Sequence, residues 1–320
     1  MRRSVLFPSF AAIVLASGSV HAQESPAQAG EARTGQGGQA QIAQEVADED
    51  NGWELSGFAD VSVKNDYVTP RGLVVTTEGA TIQILNGVVA TSPGGVAFHA
   101  GTWTDINPGY GDGNITAVNE FDFFFGVSGE IAPRLKAGVE YVQFISGQPS
   151  VAFQDERNIE FSLKYLDGNP DAAFTINPYA KLFWAFDSES STVVLGKRGG
   201  TFDVELGAVP TCKTGALTLS APTWITVGPK SYWGDEDDNP LAVDGENFGV
   251  FSTGLKGSVP IGILEGASAY LHVQYYHLIN DNLMLAKKLL NGGTVVGTSI
   301  VGGPDSRDHV VFGGGLSFGF

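Results

Sequence analysis

The sequence predicts an all-β protein, a transmembrane antiparallel up-and-down β-barrel of about 12 strands, and three observations predict it. Apolar and polar residues alternate with period two in about a dozen segments of roughly ten residues. The connections between those segments are long and short in turn. The chain closes on "VVFGGGLSFGF", an apolar alternating run ending in Phe320, which would invite aggregation as a bare edge in water.

The first element is "MRRSVLFPSFAAIVLASGSVHA", residues 1–22: two arginines, a short apolar core and small residues before Ala22, the pattern of a secretory signal peptide. Its apolar core falls short of the roughly 20 residues a spanning helix needs, and no cysteine follows the cleavage site to carry a lipid anchor. Residues 23–51 hold almost nothing large and apolar and read as a disordered periplasmic extension. At Trp53 the composition changes abruptly, and residues 52–320 read as the barrel.

Three strands display the pattern. Trp53, Leu55, Ala59, Val61 and Val63 oppose Glu54, Ser56, Asp60, Ser62 and Lys64. In "NEFDFFFGVSGEI", Phe121, Phe123, Phe125, Val127 and Ile131 oppose Glu120, Asp122, Ser128 and Glu130. Ile159, Phe161, Leu163 and Tyr165 oppose Asn158, Glu160, Ser162 and Lys164. A soluble sandwich alternates too, so the connections decide. In order they are "TPRGLVVTTE", "TSPGG", "NPGYGDGNITAV", "APR", "SGQPSVAFQDE", "DGNPD", residues 187–200, "TCKTGA", 233–247, "IGILEG" and 280–308. Tight periplasmic turns alternating with longer external loops are the rhythm of an outer-membrane barrel. A charge facing lipid at mid-bilayer costs up to about 2–4 kcal/mol, less for acids, and the quoted strands carry several, so the polar face points inward. Trp53, Tyr165 and Trp184 suit an interfacial aromatic girdle, and Leu316, Phe318 and Phe320 fit a carboxyl-terminal signal for insertion by the barrel assembly machinery.

Charge excludes one class of partner. The chain carries 18 basic and 35 acidic residues, and loss of Arg2 and Arg3 with the signal peptide leaves 16 against 35, a net of −19. Nucleic acid demands a basic surface. The single cysteine, Cys212, cannot form an internal disulfide and reads as a small filler near a turn.

Within residues 61–130, "VSVKNDYVTPRGLVVTTEGATIQ", "FHAGTW" and "NEFDFFFGVSGE" resemble the TorF-type porins of Gram-negative bacteria. Asp66-Tyr67, Arg71-Gly72, Gln83 and Gly101-Thr102-Trp103 carry the resemblance, which covers about a third of the chain. It implies an outer-membrane barrel named as a porin, with no catalytic residues to carry over. The extension at 23–50 and the longer later loops depart from the family's pattern.

The inward faces supply the pore-lining candidates Asp60, Lys64, Glu120, Asp122, Glu130, Glu140, Glu160, Lys164, Lys181, Asp203 and Glu205, with Glu54, Lys136, Asp187 and Lys256 on the same faces. Acids outnumber bases about two to one, which favours cations or neutral solutes. The alternative is a set of internal salt bridges that plug the barrel, and Phe124, Tyr179, Phe183 and Trp224 narrow any passage further.

A lipid-hydrolysing barrel needs a serine and a histidine together on the outer face. None of His99, His272 and His277 has a serine two positions away in its strand. His272 and His277 are an odd number of residues apart, so on a strand they face opposite ways and share no metal; His272 reads as a pore-lining residue bonded to a neighbour. The acidic run 233–247 lacks the EF-hand spacing and reads as a solvated external loop, with loose divalent bridging to lipopolysaccharide as the minor alternative. Asn114-Ile115-Thr116 forms a sequon without meaning in a bacterial outer membrane, and the glycines of "FGGGLSFG" sit in a strand pattern, not a nucleotide loop.

The expectation is an outer-membrane barrel of a Gram-negative bacterium, surrounded by lipid and lipopolysaccharide, forming a narrow passive pore for small ions or solutes, with no catalytic centre, cofactor or metal. A non-conducting structural or adhesive barrel stands as the alternative, with a lipid-modifying enzyme behind it.

Overall fold

The computed structural model describes residues 52–107, 118–146, 155–168, 172–187, 194–237 and 239–320. The segments read as a signal peptide and an extension, residues 1–51, lie outside the described residues, as do the sequon and Asp238.

Twelve strands form the wall: β1 (Glu54–Lys64), β2 (Thr81–Thr91), β3 (Ala97–Ile106), β4 (Val118–Ala132), β5 (Leu135–Ser146), β6 (Glu156–Tyr165), β7 (Pro178–Ala185), β8 (Thr201–Ala208), β9 (Thr223–Val227), β10 (Phe248–Pro260), β11 (Ala267–Leu278) and β12 (Asp308–Gly319). Each pairs antiparallel with the next, and β1 pairs with β12 from Phe58↔Gly319 to Lys64↔Gly313, so the sheet closes and keeps no edge. The closing seam is tight. Gly57 and Phe320 exchange two backbone hydrogen bonds, and a Cβ on Gly57 would stand 2.4 Å from the Phe320 ring.

The period-two pattern sorts the side chains as the alternation requires. Leu55, Val61, Phe121, Phe125, Phe161, Leu163, Leu271, Val273, Phe312 and Leu316 are exposed on the outer face, while Asp60, Glu120, Asp122, Glu140, Glu160 and Asp203 are buried on the inner one. Trp53 and Tyr165 stand exposed at the short-turn rim and Trp184 near the long-loop rim, giving the apolar belt an aromatic border at both ends. On β12 the outward positions carry Phe312, Leu316 and Phe318, whereas inward Gly313 and Gly315 leave room for Lys64, His272 and Tyr270 from the neighbouring strands.

The connections differ from expectation in two ways. "TCKTGA" reads as a turn, but Thr211–Thr214 and Leu217–Ser220 are paired strands joined by a turn at Gly215, and the first also pairs with Phe174–Thr175. Pro210 explains the misreading: lacking an N–H, it interrupts its ladder and masks the continuation of β8 beyond it, as Pro222 separates Leu217–Ser220 from β9. Cys212 lies exposed on this ribbon. The long loops also contain helices, α1 (Lys230–Trp233) and α2 (Asp281–Leu290). The Asn280 side chain caps α2 by accepting from the Asn282 N–H at 2.9 Å.

Candidate functional site

The lumen is built by the inner wall and by the loop between β1 and β2. Thr69-Pro70-Arg71-Gly72 is a turn whose Gly72 N–H donates to the Thr69 carbonyl at 2.9 Å, with proline second and glycine fourth as such a turn favours. Gly72 holds φ +87, and a Cβ there would meet Val250 at 2.8 Å. The flanking Tyr67–Val68 and Val74–Thr76 pair into a hairpin that folds into the barrel. Its two faces pack on opposite walls. Tyr67, Leu73 and Val75 join the buried cluster of Trp103, Phe124, Val142 and Phe144 on β3, β4 and β5, while Val68 and Val74 join Trp224, Val250, Tyr276, Leu278 and Val311 on β9 to β12, with Leu283 of α2. The hairpin therefore spans the lumen from wall to wall.

At the tip, Arg71 enters a cage. Its Nη1 donates to Glu156 Oε1 at 2.5 Å and to the Tyr232 hydroxyl of α1 at 3.0 Å, and its guanidinium lies 5.2 Å from the Phe144 ring centroid and 5.5 Å from that of Phe183. Asp203, opposite Phe183, interacts with the same group electrostatically. Phe144 is directly opposite Glu156 in the β5–β6 ladder, and Phe183 is opposite Asp203 in the β7–β8 ladder, so the wall presents two aromatic–carboxylate pairs side by side. The Trp224 indole N–H donates to the Pro70 carbonyl at 3.0 Å and anchors the turn from the far wall.

Beneath the hairpin, charged groups form two districts. On β3 and β4 the Tyr67 hydroxyl donates to Glu120 at 2.6 Å, and Asp105 accepts from Thr81, Gln83 and Asn119. His99 bonds Glu140 at 2.7 Å, and Glu140 lies opposite Glu160 in its ladder. Across the barrel the Tyr270 hydroxyl donates to Asp60 at 2.8 Å, with Lys256 4.0 Å over the Tyr270 ring and Lys64 and His272 alongside. His272 Nδ1 has no hydrogen-bond partner, where the sequence suggested a bonded neighbour. His277 is on the outer face and bonds Asp308 at 2.8 Å.

The remaining candidates sit at different depths. Glu205 accepts from the Tyr179 hydroxyl at 2.7 Å and stands opposite half-buried Lys181. Lys164 is half-buried near the short-turn rim. Glu130 is exposed at that rim, where it accepts from the Arg134 N–H at 2.9 Å and shapes the β4–β5 turn. Leu316 and Phe320 are exposed outward. The open, water-lined passage expected from the polar faces is not what this conformation holds: Asp122 and Asp203 are 0% exposed and Glu120 1%. A wetted wall would leave such carboxylates accessible; here Tyr67 of the hairpin bonds Glu120, and Arg71 of the hairpin and Tyr232 of α1 interact with Asp203.

Arg71, Glu156, Asp105 and Tyr232 complete the site without having been singled out for it. Asp105 had the right parity beside Trp103. Glu156 ends the stretch read as the loop "SGQPSVAFQDE", although it begins β6.

A closed barrel with an apolar belt and its charges turned inward is a transmembrane barrel of the outer-membrane type. No family model matches the chain, and no curated protein matches it in sequence. Among solved structures it is similar to the NanC porin (10% identity, TM-score 0.46, covering 81% of this chain and 98% of that one). It is also similar to an outer-membrane channel from Pseudomonas putida F1 (8%, 0.45, covering 86% and 100%) and to a porin (12%, 0.33, covering 84% and 100%). Such loose overlaps bear on nothing beyond the fold, which follows from the closed ladder itself.

Proposed function

We propose that the protein is an outer-membrane channel for small cations or neutral solutes, related to the TorF-type porins, and held closed here by the hairpin of its first external loop. The observation that carries this reading is the sign of the inner wall. Asp60, Asp105, Glu120, Asp122, Glu140, Glu156, Glu160, Asp203 and Glu205 are all buried there, against buried Lys64, Lys256 and Arg71. Burying so many acids costs stability unless each finds a proton or a cation, so a barrel needed only for mechanical integrity has little reason to keep them. The occluding element is a loop rather than a wall strand, and its removal leaves every ladder of the barrel intact.

In this reading the outer partners are lipid and lipopolysaccharide, Leu316, Phe318 and Phe320 serve recognition by the assembly machinery, and residues 1–22 direct export. A non-conducting structural barrel is the second reading, favoured by the hairpin's packing on both walls. The test is the reversal potential of the refolded protein in a planar bilayer under a KCl gradient. A cation-leaning potential that weakens in Glu120→Gln/Asp122→Asn supports the channel; silence from the native protein and from Arg71→Gln alike, each folded and inserted, leaves the structural barrel.

A further inference from the structure

We infer that the cage around Arg71 is a binding station for a guanidinium or similar planar organic cation, and that Arg71 is its tethered occupant in the closed state. The inference rests on the channel reading and names the solute class it serves. A guanidinium is bound best where a carboxylate and further acceptors meet its N–H groups and aromatic rings lie within about 6 Å. Glu156, Tyr232, Phe144 and Phe183 meet those requirements at the distances given above, and Asp203 adds a second carboxylate.

The provenance of these groups separates a station from a simple latch. Glu156, Phe144, Phe183 and Asp203 belong to four consecutive wall strands, β5 to β8, where the ladder holds them in two cross-strand pairs. Arg71 belongs to the loop. When the hairpin withdraws, the cation leaves and the carboxylate–aromatic pairs remain, open to a solute bearing the same group. Two further acids face inward on these strands: Glu160, level with the cage opposite Phe183, and Glu205, the next inward position beyond Asp203. A cation leaving the station meets carboxylates on its way down.

The test is chemical rescue of the full-length, refolded chain carrying Arg71→Ala, read in two ways: current across a planar bilayer, and the temperature at which the folded band converts to the unfolded one on a gel. The probe is guanidinium chloride at millimolar concentration, with tetramethylammonium chloride, equal in charge but without donors, as the control. Guanidinium is expected to reduce the variant's current by about tenfold and raise its conversion temperature, with no comparable effect of tetramethylammonium, and adding Glu156→Gln abolishes both effects. A variant that conducts but responds equally to both salts overturns the station and leaves the channel standing. A variant that carries no current yet gains stability from guanidinium supports the station and sinks the channel; neither current nor stabilisation overturns both. Should Arg71→Ala give no folded band, neutral Arg71→Gln takes its place under the same criteria.

Discussion

Replacing Glu156 with glutamine removes the charge that holds the hairpin tip and leaves the backbone unaltered. Glu156 Oε1 accepts from Arg71 at 2.5 Å and from the Asn158 side chain at 2.6 Å, and both members of the ion pair are nearly fully buried. Breaking a buried pair by removing one partner costs about 3–5 kcal/mol, because the other charge is left uncompensated. Here Asp203 stays beside the guanidinium and glutamine keeps one acceptor, so the loss falls nearer that of one charge-assisted hydrogen bond, about 1.5–3 kcal/mol. If that loss bears on the hairpin's docked state alone, the undocked population rises roughly 10- to 100-fold, since about 1.4 kcal/mol is a factor of ten. The assay is open probability in single-channel recordings of Glu156→Gln, Arg71→Gln and the double variant. The two effects should be strongly non-additive, because each variant breaks the same contact. An open probability unchanged in Glu156→Gln, or additive effects in the double variant, refutes the latch.

Leu271, 74% exposed on the outer face of β11, should tolerate lysine poorly: a basic charge facing lipid near mid-bilayer costs about 2–4 kcal/mol, visible as lower stability in reversible unfolding from vesicles, whereas an unchanged midpoint would mean that this face does not meet lipid. Deleting Phe320 removes two backbone hydrogen bonds to Gly57, about 1–3 kcal/mol at the closing seam, and should lower refolding yield; undiminished yield would show that the seam does not depend on them. At the short-turn rim, slight desolvation pushes the Asp167 pKa up, but amide hydrogen bonds from Asn177 and Ile176 outweigh it and hold the carboxyl below its ordinary value. Its contribution is therefore full above the unfolded pKa of about 4 and is lost as pH falls through the lower folded value. Protease resistance of the turn should drop in acid for the native protein, and Asp167→Asn should remove that pH dependence; equal pH profiles would contradict the assignment.

What the sequence made visible was the wall. In Trp53 to Lys64, Asn119 to Ile131 and Asn158 to Tyr165, parity alone separates lipid-facing from inward residues, because burial on a strand has period two. What it concealed has physical causes. Pro210 breaks a ladder that resumes beyond it, so the strand continuation at Thr211–Thr214 looked like a turn. The apolar pairs flanking Thr69-Pro70-Arg71-Gly72 were short enough to pass for loop residues, although they pack on both walls. The 3.6-residue spacing of Leu283, Ala286 and Leu290 after the Asn280 cap was absorbed into a long loop. The cage was the least accessible of all: Arg71 meets Glu156 across 85 positions and Tyr232 across 161, contacts that exist only once the barrel has closed.

The most direct test of the account replaces residues 67–76 with a short glycine–serine connector and compares the conductance of that barrel with the native protein under a KCl gradient. The account predicts that the native barrel is mostly closed and that the shortened one conducts in larger, longer steps with a cation-leaning reversal potential. A folded, inserted barrel that remains silent without its hairpin, or that prefers anions, contradicts it.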